Sequence, residues 1–192
     1  MHKKVMRRQK GFTLVELAIV LVIIGLILGA VLKGQEMIKN ARVKRLVSQI
    51  DGYRAAVFAF YDRFGMFPGD ENLTGIPSGD AHNGDGSGQI SYGERAFVWE
   101  DLSKAGFITG NFDGTNNPRH PFGDEIILYW HDPDGGGAAA DNHWFRLYNL
   151  PWDVCFEIDR KYDDGLYSSG SIIASEPYTP SSENIGTLDW LM

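Results

Sequence analysis

Apolar residues fill positions 12–32 with one interruption, Glu16, in the run FTLVELAIVLVIIGLILGAVL. As a helix, such a run is long enough to cross the roughly 30 Å hydrocarbon core of a bilayer. Beyond Lys33 the pattern changes. Val43, Leu46, Val47, Ile50, Tyr53, Val57, Phe60, Tyr61 and Phe64 recur at steps of three and four, which predicts an amphipathic continuation of the helix to residue 64. Gly65 and then Pro68 supply the stop. A rod over residues 12–64 would be about 80 Å long. It is apolar all round at first and one-sided afterwards, so its second part should lie on a packed domain. The aromatic cluster Tyr53, Phe58, Phe60, Tyr61 and Phe64 reads as core packing rather than as a path for electrons.

Residues 69–93 are crowded with Gly, Asp and Asn and read as a long loop. Ser91-x-x-Glu94 has the form of a capping box and leads toward a helix through Phe97, Val98, Leu102 and Ala105, ending before Gly106. Strand-like runs follow at 126–130 and 144–150, separated by a Gly-rich turn around 134–137. Residues 152–162 suit either element: Cys155, Ile158 and Tyr162 fit a helix face, while Val154, Phe156 and Ile158 fit a strand. The turn Asp163-Asp164-Gly165 follows in both cases. The expected fold class is α+β, a long N-terminal helix packed on a small antiparallel sheet head with loop-rich insertions. The expected organisation is a leader at 1–11, a membrane or filament-core half-helix at 12–32, an amphipathic half at 33–64 and a head at 65–192.

Charge sharpens this division. The net charge is −7, yet residues 1–11 carry Lys3, Lys4, Arg7, Arg8 and Lys10 with no acid. From Gly65 onward 21 Asp or Glu stand against 6 Lys or Arg. So acidic a head repels nucleic acid and suits a soluble exported domain able to take divalent cations. Lys33, Lys39, Arg42, Lys44 and Arg45 lie beyond the apolar run and nearly balance the leader, so the positive-inside count does not orient the chain. That second basic segment could face the acidic heads of neighbouring subunits. Cys155 is the only cysteine, which excludes an intramolecular disulfide.

A secretory signal peptide has a shorter apolar region and ends in a small-x-small site, which this run lacks, and neither it nor a plain anchor accounts for Glu16. A carboxylate inside a membrane helix costs about 2.5–3.5 kcal/mol at mid-bilayer and needs a partner. The run Lys10-Gly11-Phe12-Thr13-Leu14-Val15-Glu16 resembles the prepilin peptidase motif of type IV pilins and type II secretion pseudopilins. The resemblance implies cleavage between Gly11 and Phe12, N-methylation of Phe12, and a role for Glu16 in assembly. Cleavage would free an α-ammonium at the head of a greasy helix. In a filament core that charge and the carboxylate of Glu16 can neutralise one another between subunits, because buried charges persist only when paired.

The resemblance implies a structural subunit stored in the bacterial inner membrane, N-terminus cytoplasmic and head periplasmic. Such a subunit is later drawn into a type IV pilus or a type II secretion pseudopilus. Its partners would be other pilin-like subunits, the prepilin peptidase, an inner-membrane assembly platform and membrane lipid. The best-known pilins carry a proline midway along the helix, where this chain has Lys33 and Gly34. The segment Phe64-Gly65-Met66-Phe67-Pro68 leans toward the pseudopilin side. The alternative is a membrane-anchored periplasmic binding module that never polymerises.

Within the loop, Asp80, Asn83, Asp85, Gly86 and Ser87 resemble a calcium loop, although no acid stands two residues before Asn83; Glu94 could close the site. The resemblance implies that calcium can stand in for a disulfide in such heads, so calcium at Asp80, Asn83, Asp85 and Glu94 is the candidate cofactor, against a plain solvated turn. No zinc-protease, Walker or nucleophile-elbow motif is present in the sequence. His82, His120, His131 and His143 are dispersed, and hydrogen bonding is the expected role of each; a metal site of His131 with Asp132 and Asp134 is a weaker option. Cys155 reads as a small core residue. Nothing in these patterns points to an enzyme.

Overall fold

A computed structural model describes residues 11–135 and 141–192. The predicted leader lies outside the described residues except for Gly11, and the turn at 134–137 is described only as far as Gly135. The chain divides into two compact units, Met1–Ala41 and Arg42–Met192.

Helix α1, Leu14–Phe64, runs for 51 residues. In the first unit it is rich in Val and Ile, modest helix formers in water. Inside a bilayer a single spanning segment must satisfy every backbone N–H and C=O by itself, which only a helix can do. Its apolar side chains are open to the surroundings, Leu14 86% and Leu26 70% exposed. None of its most apolar stretch is buried, so it is not the core helix of a soluble domain. Its length and composition suffice to cross a membrane.

In the second unit α1 buries Val43, Leu46, Val47, Ile50, Ala56, Val57 and Phe60, the stripe that the spacing predicts. Tyr53 and Phe64 are partly buried against the same core, whereas Phe58 and Tyr61 are exposed. Full burial of side chains such as Phe60 and Ile50 contributes about 1.5–3 kcal/mol each. Directional bonds add to this: Gln49 Nε2 donates to the Arg119 carbonyl at 3.0 Å, and Arg54 Nη2 to that of Leu191 at 2.9 Å.

The remaining elements are α2 (Phe97–Lys104), β1 (Ile126–His131), β2 (Asn142–Pro151), α3 (Trp152–Tyr162), β3 (Ile172–Ala174) and β4 (Asn184–Leu191). All strand pairs are antiparallel, in the order β1-β2-β4-β3. Alternation along the strands turns Ile126, Leu128, Phe145, Leu147, Leu188 and Trp190 to one face, where they join the core with Trp99 and Phe60. The α+β architecture is the one expected. The ambiguous stretch 152–162 is helix, with Val154, Cys155, Ile158 and Asp159 buried. Ser91 and Glu94 do meet, Glu94 Oε2 accepting the Ser91 N–H at 2.7 Å, but they close a turn, and α2 starts only at Phe97.

Candidate functional site

Two places bring together the chemistry singled out in the sequence. The first is the start of α1. The Thr13 carbonyl accepts the first helical bond, from Leu17 N–H at 3.3 Å. Thr13 Oγ1 accepts the Glu16 N–H at 3.2 Å, and Glu16 Oε2 accepts the Thr13 N–H at 2.8 Å and the Thr13 hydroxyl at 2.9 Å. This is a complete reciprocal capping box, which satisfies two of the orphan N–H groups that every helix start presents. Glu16 therefore has local partners before any filament forms. Gly11 and Phe12 precede the helix and are exposed, Phe12 by 83%.

The second place is the loop between α1 and α2. Asp85 and Glu94 stand together, as the sequence suggests, but their third neighbour is Asp70. Asp80 belongs to a different group, with Glu71 and Asp101. The first group is wrapped in donors. Asp70 accepts from Ser87 N–H at 2.9 Å and Gly88 N–H at 2.8 Å, Glu94 from Asp85 N–H at 2.9 Å and Ser91 N–H at 2.7 Å, and Asp85 from Ser87 N–H at 2.9 Å.

The second group differs. One oxygen of each carboxylate is held by a backbone N–H: Glu71 by Leu73 at 3.0 Å, Asp80 by His82 at 3.1 Å, and Asp101 by Gly69 at 2.6 Å. The other oxygen of each, Glu71 Oε1, Asp80 Oδ2 and Asp101 Oδ1, is buried with no partner. Desolvation pushes Glu71 up to about 7, helped by the charges of Asp80 and Asp70, and pushes Asp101 up to about 8. An unsatisfied buried polar group costs about 1–3 kcal/mol, and a charged one more.

Sequence reasoning missed Asp70, Glu71 and Asp101. Asp101 did carry a signal: it lies three residues after Val98 and just before Leu102, on the apolar side of α2, and is fully buried.

Tight backbone contacts hold this loop in shape. Gly84 N–H donates to the Glu71 carbonyl at 2.6 Å, and Gly86 N–H to that of Asp70 at 2.8 Å. A Cβ on Gly84 would lie 2.4 Å from the Gly69 carbonyl oxygen and 2.5 Å from Asp70 Cα, backbone atoms that cannot swing aside. Gly84→Ala is therefore expected to destabilise the head by about 1–3 kcal/mol. Gly52→Ala, in the exposed interior of α1 with open space around it, should stabilise by roughly 0.5–1 kcal/mol. Paired thermal melts check both; equal melting temperatures for the two variants would contradict the contact at Gly84.

The four histidines among the described residues have structural partners. His82 Nδ1 lies 2.7 Å from Glu100, His120 Nε2 2.8 Å from the Tyr148 carbonyl, and His131 Nε2 3.2 Å from Asp189, while His143 Nε2 accepts the Ile90 N–H at 3.1 Å. His131 Nε2 lies between Arg146 Nη2, at 2.9 Å, and Asp189, and among the described residues it joins no three-membered metal-ligand group with Asp132 and Asp134. Cys155 is buried and free, and burial pushes its thiol far above the usual range, away from nucleophilic chemistry. Arg45 lines a cleft of about 480 Å³ with Arg119 and His120, a basic surface on an otherwise acidic head.

Residues 6–32 match the family model described as the prokaryotic N-terminal methylation motif. The chain is 27% identical over 128 residues to the type IV major pilin protein PilE of Neisseria gonorrhoeae, covering 66% of this chain and 70% of that protein. It is 35% identical over 69 residues to a fimbrial protein of Neisseria meningitidis serogroup B, covering 35% of this chain and 41% of the relative. The fimbrial protein EcpC of Eikenella corrodens is also 35% identical over 69 residues, 35% of this chain and 45% of that protein. No solved structure gives a significant match. Methylation motif, exposed apolar helix, α+β head and the similarity to these pilins agree with one another, and together they liken the chain to type IV pilins.

Proposed function

We propose that the chain is a filament subunit cut between Gly11 and Phe12 by a prepilin peptidase, N-methylated on Phe12, and stored in the inner membrane through residues 12–32. In this reading the head, residues 65–192, faces the periplasm, residues 33–64 join it to the membrane segment, and an assembly platform draws the subunit into a filament. The observation that carries the reading is the junction itself. An exposed Gly11-Phe12 bond stands immediately before a capped, unburied apolar helix whose only membrane-depth charge is Glu16. Peptidase access and later helix-to-helix packing both need that exposure. The pilin and fimbrial names of the relatives favour a type IV pilus over a secretion pseudopilus. A structural role also leaves the head free of catalytic demands, in keeping with histidines tied into the fold.

Intact-mass measurement of the full chain, produced beside a prepilin peptidase, tests the processing step. The expected product begins at Phe12 and carries one added methyl group. Gly11→Val, which puts a branched side chain at the cut, should retain residues 1–11 and lack the methyl. A wild-type product that still begins at Met1, or that is cut elsewhere, would remove the basis for the proposal.

A further inference from the structure

We propose that Glu71, Asp80 and Asp101 form a divalent-cation site, of the hard, oxygen-seeking kind that calcium fits, which ties the loop after α1 to α2. The three offer carboxylate oxygens within 4.8 Å of one another. Glu71 and Asp101 are fully buried, at 0% exposure, and each of the three has one oxygen without any hydrogen-bond partner. The opposite oxygen of each accepts a backbone N–H, which limits how far each carboxylate can swing. Among the described residues, no Lys or Arg forms an ion pair with any of them. Three carboxylates this close repel one another unless a proton or a cation sits among them.

The neighbouring group sets the contrast. Asp70, Asp85 and Glu94 are equally acidic, but the loop's own N–H groups and the Ser87 hydroxyl cover their oxygens. Donor supply therefore separates two adjacent acidic clusters and leaves a deficit at only one of them. An all-oxygen donor set with short backbone-fixed carboxylates suits calcium, which takes six to eight oxygens at about 2.3–2.6 Å and accepts irregular geometry; water and carbonyls would complete the shell. Such an ion would bridge chain segments on either side of the loop, a task that a disulfide performs in other small exported heads and that Cys155 alone cannot.

The rival occupant is the proton. It is tested by melting the full-length chain in detergent micelles at pH 7.5, first stripped with a chelator and then titrated with calcium chloride at constant ionic strength. The expected result is a saturable rise in melting temperature of about 5–10 °C at roughly 100-fold excess over Kd, with equilibrium dialysis giving one calcium per chain at this site. Glu71→Gln with Asp101→Asn should abolish the rise. Asp80→Asn, at the less buried position, should weaken it at least tenfold in calcium concentration and serves if the buried double variant does not fold. Asp85→Asn should leave it intact. A wild-type melting temperature that ignores calcium, or a response that survives in Asp80→Asn and disappears in Asp85→Asn, overturns the assignment.

Discussion

Glu16→Ala is expected to leave the chain in the membrane and to abolish filament assembly. Glu16 makes one contribution within the fold and, on the filament reading proposed above, a second between subunits. Locally it completes the capping box with Thr13, and the loss of a cap costs about 0.5–2 kcal/mol. That is too little to dissolve a helix of 51 residues whose second part is seated in a packed core. In a bundle of apolar helices the carboxylate has a larger role, because it would meet the α-ammonium exposed at Phe12 of a neighbour where neither charge can reach water. Losing about 3 kcal/mol from that pairing raises the concentration needed for polymerisation roughly 100-fold. Glu16→Gln separates the two contributions. Gln can still accept the Thr13 N–H, so the cap persists, while the charge is gone. Both variants should fractionate with membranes and be cut normally, and neither should appear in sheared surface filaments. If Glu16→Gln assembles at wild-type levels, charge pairing is not what Glu16 supplies. If the wild-type chain itself stays out of sheared filaments and Glu16→Ala changes nothing, the chain fits the anchored, non-polymerising alternative better.

The special position of Glu16 is legible from the amino-acid pattern, because a lone carboxylate among 21 otherwise uncharged residues stands out. The same holds for α1, whose period of three and four names its buried face, with Tyr61 as the exception. The head is legible in part. β1 is a continuous apolar and aromatic run and β2 is one broken by Arg146 and Asn149; they appear where expected, one and three residues longer respectively. β3 has only three residues, too short for any period. β4 is hidden for another reason: Gly186 and Thr187 break the alternation between Ile185 and Leu188, and Asp189, though a charged residue, is only 2% exposed because a partner on β2 neutralises it. The loop carboxylates show the same limit. Sequence spacing puts Asp80 with Asp85 and Glu94, but the chain turns so that Asp70 joins that pair, and Asp80 meets Glu71 and, from the next helix, Asp101. Local periodicity reports which residues are inside; it carries no record of which distant residue satisfies a buried charge.

Asp189 leads to the largest expected loss of stability in the head. It lies directly across from Arg146 in the β2–β4 ladder, and the two meet in a bidentate pair, Nε to Oδ1 at 2.7 Å and Nη2 to Oδ2 at 2.9 Å. His131 adds a contact at 3.2 Å, and the Arg146 guanidinium sits 5.2 Å from the centre of the Tyr129 ring, so the group links β1, β2 and β4. Such a pair returns little more than its desolvation penalty, but removing one member leaves the other charge buried alone, at about 3–5 kcal/mol. Asp189→Ala should therefore lower the melting temperature by roughly 10 °C. Arg146→Met combined with Asp189→Leu removes both charges and keeps the volume, and it should recover most of that loss. The comparison distinguishes a cross-strand electrostatic lock from plain packing. Were packing the whole story, the double variant would be at least as unstable as Asp189→Ala, and a double-mutant cycle would give a coupling near zero. A coupling of about 2 kcal/mol or more is expected instead, because the charge that β4 carries inward is tolerable only while Arg146 faces it.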